Sequence, residues 1–428
     1  MPATSRLFVV LVLLLSSTAT FAVFQGTEAD PAQGSSTIQA IWLMVYAITF
    51  TFIALRWRLL FRIFARNKLL LLLVMLVLAS VLWSAAPEVT LRRSIALLGT
   101  TLFGAYLSAR YTLGGQIRLL AWALGIAAVL SLLCALALPS YGISSDPLTP
   151  GDWQGVFDHK NALGSSMALG AMVSLLLATS ARRLRWLAWA CFVLSLALLL
   201  LSNSVTAMVV FSTLLILLPL YRALRWRYTL AVPALIFAIV LVGAVVVFSV
   251  SNWGVVLNAL GRDVTLTGRT QLWDVVLDMI RERPWLGYGF SAFWLGSEGP
   301  SAQLWLATGQ EYEHAHNSFL DLWLQLGLVG VAVFSLGFVL AFSRTVAWIR
   351  QTKSNEGLWP LLFLTFVPLY SLTESGILVQ NSTLWIMYVA TVLSTSFTRD
   401  GSLASEERAV QARRKSGDAP PGGRLRVR

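Results

Sequence analysis

Residues 119–138 of the chain read LLAWALGIAAVLSLLCALAL, with Arg118 before them and Pro139 after them. None of these residues is charged. An α-helix rises 1.5 Å per residue, so a stretch of this length covers about 30 Å, which is the thickness of the hydrocarbon core of a bilayer. The segment therefore predicts a transmembrane helix.

Similar apolar segments recur along the whole chain. Only 12% of the 428 residues are charged and the mean hydropathy is +0.72, whereas about 25% of the residues of a soluble domain are charged. The predicted fold class is all-α, a polytopic membrane helical bundle of about 12 transmembrane helices. We predict the spans at residues 7–23, 38–55, 69–83, 94–107, 119–138, 162–177, 186–201, 205–220, 230–250, 319–342, 358–372 and 377–393.

The distribution of positive charge predicts the orientation. Most of the 32 lysine and arginine residues lie near the N-terminus, in the even-numbered connections between spans, or after residue 398. Basic residues stay in the cytoplasm during membrane insertion. We therefore expect a membrane protein with both termini in the cytoplasm. Because topology accounts for the net charge of +12, nucleic acid is not an expected partner.

Four regions follow from this topology. Residues 1–250 hold transmembrane helices 1–9, with a small periplasmic loop near residues 139–161, and residues 251–315 form a large periplasmic loop with short amphipathic helices. Residues 316–396 hold transmembrane helices 10–12, and residues 397–428 form a disordered basic cytoplasmic tail.

The first apolar segment has two interpretations. Arg6, a short apolar stretch and the small residues Ala19 and Ala22 are also typical of a cleavable signal peptide. We favour an uncleaved helix.

All three histidines, His159, His314 and His316, fall in the two predicted outer loops. Imidazole transfers protons near neutral pH, and one placed at the mouth of a helix is a candidate general base. A helix cap or loop packing is the alternative role. The spacing of His314 and His316 also suits two metal ligands, but no third ligand is recognisable from the sequence, so we predict neither a metal site nor a cofactor.

A helix in the large loop is expected to begin at Arg269, after Thr267 and Gly268, and to end before Pro284. An arginine beside the free N–H groups of a helix start suits a phosphate anion, and an ordinary surface arginine is the alternative. Apolar residues recur in this helix at a period of 3.6 residues, namely Trp273, Val276, Leu277 and Ile280.

Six short motifs resemble those of the O-antigen ligase and O-antigen polymerase superfamily, especially its exopolysaccharide-polymerase branch. Each motif is weak alone, and the specificity lies in their order along the chain. They are Trp83-Ser84 with Pro87 and Arg92-Arg93; Phe157-Asp158-His159-Lys160-Asn161-Ala162-Leu163-Gly164; Gly268-Arg269 through Trp273; Pro284-Trp285-Leu286-Gly287-Tyr288-Gly289; His314-Ala315-His316-Asn317-Ser318-Phe319; and Gly327-Leu328-Val329-Gly330.

The resemblance implies a metal-independent membrane glycosyltransferase that uses glycans carried by undecaprenyl pyrophosphate at the periplasmic face. His316 matches the family histidine that activates the acceptor hydroxyl, and Asn317 would orient it. Arg269 matches an arginine that holds the donor pyrophosphate. The other residues expected to bind substrate are Lys160, His159, Asn161, Arg92, Arg93 and His314.

One departure from the family pattern concerns a second cation. Many relatives have an arginine after the seventh span, where residues 202–206 of this chain read SNSVT. We expect Lys160 to supply the missing charge, with Arg92 and Arg93 as the other candidates. Anchoring at lipid headgroups is the alternative role of these two arginines.

The leading functional prediction is a polymerase that joins lipid-linked repeat units of an exopolysaccharide. Its expected partners are the glycan donor, a glycan acceptor, membrane lipids, a flippase, and chain-length or export proteins. An O-antigen ligase that transfers glycan to lipid A core is the near alternative.

A transporter of polysaccharide or small molecules is the alternative from another class, and a non-catalytic scaffold is a further one. Transporters have broken helices and ionisable residues near the membrane midplane. Neither is evident in the sequence, although Glu374, near the outer end of the eleventh span, fits that interpretation.

Overall fold

The computed structural model describes residues 3–17, 36–54, 64–145, 149–180, 184–226, 233, 269–352 and 354–397. The predicted ninth span, the large loop before Arg269 and the C-terminal tail lie outside the described residues. Within the described ranges the regular structure is helical, and the β contact is an isolated bridge between Ile143 and Trp153. The all-α prediction is confirmed for this part of the chain.

Thirteen helices of eight or more residues lie in the described ranges. Helices α1–α8 and α11–α13 coincide with eleven of the twelve predicted spans. The helices are α1 Ala3–Ser17, α2 Ser36–Ala54, α3 Lys68–Ala79, α4 Pro87–Arg110, α5 Leu113–Ala137, α6 Lys160–Ser180, α7 Arg185–Leu201, α8 Val205–Ala223, α9 Arg269–Glu282, α10 Ser301–Thr308, α11 Ser318–Ile349, α12 Trp359–Ser371 and α13 Thr383–Phe397.

Five of these helices are long and apolar enough to cross a membrane by length and composition: α2, α5, α6, α8 and α11. Shorter apolar helices are α1, α3 with the turn after it, α7 and α13. Twelve crossings and their orientation therefore stay a prediction.

Helix α11 is broken at Gly327, where φ is 63° and ψ is −170°. The loop 284–289 inserts into the break: the Leu328 N–H donates to the Pro284 carbonyl at 2.8 Å, and the Tyr288 N–H donates to the Leu324 carbonyl at 2.7 Å. Irregular backbone of this kind is tolerated in a membrane protein where protein covers it. This break is not evident in the sequence, and at this point loop backbone replaces helical hydrogen bonds.

The segment from α9 to the break, residues 269–326, forms a cap with its own hydrophobic core. The predicted helix is present as α9 and ends before Pro284, while its predicted start stays a prediction because the residues before Arg269 lie outside the described ranges. Its predicted apolar face is partly wrong, since Leu277 is 37% exposed and Leu272 is fully buried. The core of the cap consists of Leu272, Val276, Met279, Ile280, Tyr288, Phe293, Leu304, Ala315 and Leu324.

The cap is attached to the start of α4 and the turn before it. The Trp83 indole N–H donates to the Leu286 carbonyl at 2.9 Å, and the Thr90 hydroxyl donates to the Phe290 carbonyl at 2.8 Å. Two motifs that are some 200 residues apart in sequence, around Trp83 and around Leu286, are therefore in direct contact.

We expect Gly327→Ala to destabilise the cap. A Cβ atom at Gly327 would lie 2.1 Å from the backbone of Trp285, and the positive φ is strained for alanine. The loss should exceed about 1 kcal/mol, read as a lower melting temperature in detergent and faster proteolysis of the cap. Gly337→Ala in the same helix is the control, because its Cβ would meet Leu69 at an ordinary 3.5 Å. Equal stability of the two variants would contradict the role given to the break.

Candidate active site

The candidate site lies in the cap, directly before the start of α11. His316 has a left-handed backbone, with φ of 48°, and is partly exposed. Histidine is among the residues that adopt this conformation more often than most, and such outliers cluster at functional sites. The conformation brings the rings of His314 and His316 together, with 4.1 Å between their centroids.

The backbone beside His316 is held from two directions. The Trp273 indole N–H of α9 donates to the Ala315 carbonyl at 2.8 Å, and the Ala315 N–H donates to Asp321 Oδ1 at 3.1 Å. Asp321 is buried and also accepts from the Trp294 indole at 2.8 Å and from the Ser375 hydroxyl. This carboxylate therefore connects the backbone of Ala315 to Trp294 elsewhere in the cap and to Ser375 in the loop after α12.

Asn317 caps α11. Its Oδ1 accepts from the N–H groups of Phe319 at 3.0 Å and Leu320 at 3.3 Å, which are unsatisfied at a helix start. Its Nδ2 donates to the Leu372 carbonyl at 3.3 Å. None of these bonds reaches the imidazole, so Asn317 can orient His316 through the backbone between them.

Glu374 lies at the centre of the site. It is 5% exposed, and its Oε2 is 3.5 Å from Nδ1 of His316. Its Oε1 accepts from Asn161 Nδ2 at 2.7 Å, and Asn161 Oδ1 accepts from the Ser204 hydroxyl at 2.8 Å. The motif that contains Asn161 and the motif that contains His316 therefore meet through this one carboxylate.

His159 belongs to the same cluster. Its Nδ1 accepts from the Asn161 N–H at 3.2 Å, and its side chain is exposed to solvent. Partial desolvation lowers the pKa of His159, against the opposing charges of Glu374 and Asp158. The structure thus places ligand atoms of His314 and His316 within 4.8 Å of Glu374, and Asn161 links His159 to the same carboxylate.

Lys160 forms a buried ion pair with Asp152. Its Nζ lies 2.6 Å from Asp152 Oδ2, both side chains are buried, and Asp152 Oδ1 accepts from Asn203 Nδ2 at 2.6 Å. Asn203 falls within residues 202–206, where the resemblance leads us to expect an arginine. The charge of Lys160 is therefore already compensated, and the lysine would have to leave Asp152 to bind a phosphate.

We expect Lys160→Met to lower the free energy of unfolding by about 3–5 kcal/mol, because it removes the cation that lies 2.6 Å from the buried Asp152 carboxylate. The melting temperature in detergent measures this. Arg118→Gln is the control, since Arg118 pairs with Glu356 but its side chain is 62% exposed, and exposed pairs contribute about 0–1 kcal/mol. Normal stability of Lys160→Met with lost glycan joining would instead support pyrophosphate binding.

The three arginines that the sequence suggests for pyrophosphate binding are Arg269, Arg92 and Arg93. Arg269 is the first residue of α9, four residues before Trp273, and its side chain is outside the described residues. Arg93 Nη1 donates to the Ser291 carbonyl of the cap at 3.4 Å, and Arg92 is exposed on α4. Their binding roles stay predictions.

Sequence reasoning missed three acids of this site. Asp321 and Asp152 belong to no recognised motif as candidate site residues, and Glu374 fits only the transporter alternative. The available signal for Glu374 was an acid at the end of an apolar segment, where a charge is expensive unless it has a partner.

Two comparisons with known proteins agree on the family. A family model described as O-Antigen ligase matches residues 190–335, which include Arg269 and His316. The chain is 28% identical over 313 residues to the exopolysaccharide production protein ExoQ of Rhizobium meliloti (strain 1021). The aligned region covers 69% of this chain and 70% of the relative. The resemblance to the O-antigen ligase and polymerase superfamily is confirmed.

Within this superfamily the similarity lies in the exopolysaccharide branch. The apolar helices and the O-antigen ligase match together indicate a bacterial membrane protein. The family implies a glycosyltransferase-like membrane enzyme with lipid-linked glycan substrates.

Proposed function

We propose that the protein is an inner-membrane polymerase that joins repeat units of an exopolysaccharide, carried on undecaprenyl pyrophosphate, at the periplasmic face. The observation that carries this proposal is His316, held in a left-handed conformation beside the buried carboxylate of Glu374. The name of the relative from Rhizobium meliloti supports the exopolysaccharide substrate.

His316 is the proposed general base. Glu374 faces its Nδ1 and favours the tautomer that carries the proton there, so Nε2 keeps a lone pair for the acceptor hydroxyl. The acceptor oxygen forms a bond to C1 of the donor sugar, the bond from C1 to the pyrophosphate oxygen breaks, and Nε2 takes the hydroxyl proton. Attack opposite the leaving group inverts the anomeric centre. Glu374 stabilises the imidazolium that results.

Arg269 is the proposed partner of the departing pyrophosphate. The sequence predicts that α9 begins at Arg269, where backbone N–H groups and the helix dipole also favour an anion. Trp273, about one turn further, contacts the carbonyl of Ala315, so the start of α9 lies near the histidine segment. Arg92 and Arg93 are the proposed further cations, while Lys160 supports the loop through Asp152.

The O-antigen ligase reaction is the second candidate, supported by the description of the matching family. Both reactions use the same donor and differ in the acceptor. Proteoliposomes that contain the purified protein and a pyrophosphate-linked oligosaccharide distinguish them. We expect a ladder of products without an added acceptor. Product formed only with lipid A core would favour the ligase, and activity that persists with a chelator would support a metal-independent reaction.

A further inference from the structure

The two histidines of the cap and Glu374 form a potential metal-binding group. Each offers one ligand atom, and these atoms lie within 4.8 Å of one another. We infer that His314, His316 and Glu374 bind a zinc ion, and that its binding switches off the general base. The second half of this inference depends on the proposed function.

The distance between His316 and Glu374 supports a bridging ion. Nδ1 and Oε2 are 3.5 Å apart, which is longer than the usual 2.7–3.2 Å of such a hydrogen bond. Two ligand atoms that each lie about 2.0–2.2 Å from a tetrahedral zinc are about 3.4 Å apart. The pair therefore has the spacing of an edge of a zinc tetrahedron, and the ligand atom of His314 lies within 4.8 Å of both.

The third ligand is held in place by the rest of the fold. Asn161 holds Oε1 of Glu374 at 2.7 Å, which leaves Oε2 on the side of the histidines. Hydrogen bonds of this kind orient metal ligands. The left-handed backbone of His316 places its ring 4.1 Å from that of His314, so both imidazoles face one region.

The ligand types select the ion. Two imidazoles and one carboxylate suit zinc, with water as the fourth ligand, whereas magnesium and calcium prefer oxygen ligands throughout. Glu374 is the third ligand that the sequence alone does not reveal.

Metal binding and base catalysis exclude each other at His316. A neutral imidazole has one nitrogen with a lone pair, and the other nitrogen carries the proton. When zinc occupies Nδ1, Nε2 carries the proton and cannot take one from the acceptor hydroxyl. Zinc is therefore expected to inhibit glycan joining, and a chelator is expected to restore it.

The test is zinc titration of the full-length protein in detergent, without a polyhistidine tag and after removal of bound metal. Calorimetry should give one equivalent of zinc for the unaltered chain. His314→Gln and Glu374→Gln should each lose this binding. His159→Gln is the matched control and should keep it, because His159 is in the same cluster but outside the ligand set. The absence of stoichiometric binding, or equal binding in all variants, would overturn the site.

The activity arm uses the proteoliposome reaction with increasing zinc. Inhibition that a chelator reverses supports the switch. Loss of activity with a chelator, restored by zinc, would overturn it, since zinc would then be required. The calorimetric result needs no substrate, so it stands whether or not His316 proves to be the base.

Discussion

Glycan joining is expected to fall by about 10²- to 10⁴-fold when His316 is replaced by alanine, while the protein still inserts into the membrane. This is the usual contribution of a positioned general base. The measurement is product length and rate in proteoliposomes, with membrane insertion checked by fractionation.

Alanine is also strained at a φ of 48°, so a second variant is needed. Asparagine tolerates this conformation and cannot act as the base. His316→Asn should therefore fold normally and be as inactive as His316→Ala. Full-length polymer from His316→Asn would remove the general-base proposal.

Arg269→Ala is expected to reduce the rate of glycan joining by about 10- to 150-fold. This range corresponds to the loss of about 1.5–3 kcal/mol, the usual contribution of hydrogen bonds to a charged group. Arg269→Lys should be intermediate, because lysine keeps the charge but loses the forked geometry that matches a phosphate. Initial rates at several donor concentrations measure both effects.

Arg281→Ala is the control on the same helix. Arg281 lies near the other end of α9, pairs with Asp278, and its side chain is 75% exposed. It should keep normal activity. Equal rates for the unaltered chain and both Arg269 variants would show that Arg269 does not hold pyrophosphate.

Much of the fold follows from local physics that the sequence displays. Apolar length predicts where helices lie, since each must cover the hydrocarbon core, and eleven of the predicted spans coincide with helices. The presence of α9 follows from its periodicity, and its end follows from the proline after it. The break in α11 does not, because Gly327 reads as one small residue within an apolar run, and only the inserted loop shows why its φ is positive.

The sequence predicts the histidines of the candidate site but not its acidic residues. His314 and His316 stand out because the chain has three histidines, all in predicted outer loops. The role of Glu374 is apparent only from its contacts with Asn161 and His316, which are distant in sequence. Likewise, Lys160 is recognisable as a cation, but its partner Asp152 depends on how the loop folds. Contacts of this kind are set by tertiary packing, which no local pattern encodes.

The contact between Asn161 and Glu374 joins positions that are 213 residues apart. During synthesis, the first of these emerges from the ribosome long before the second, so a growing chain holds His316 without its carboxylate. The proposed pair of His316 and Glu374 can therefore form only after α12 has been made. A nascent or truncated chain that ends before Glu374 would lack this pair and is expected to be inactive.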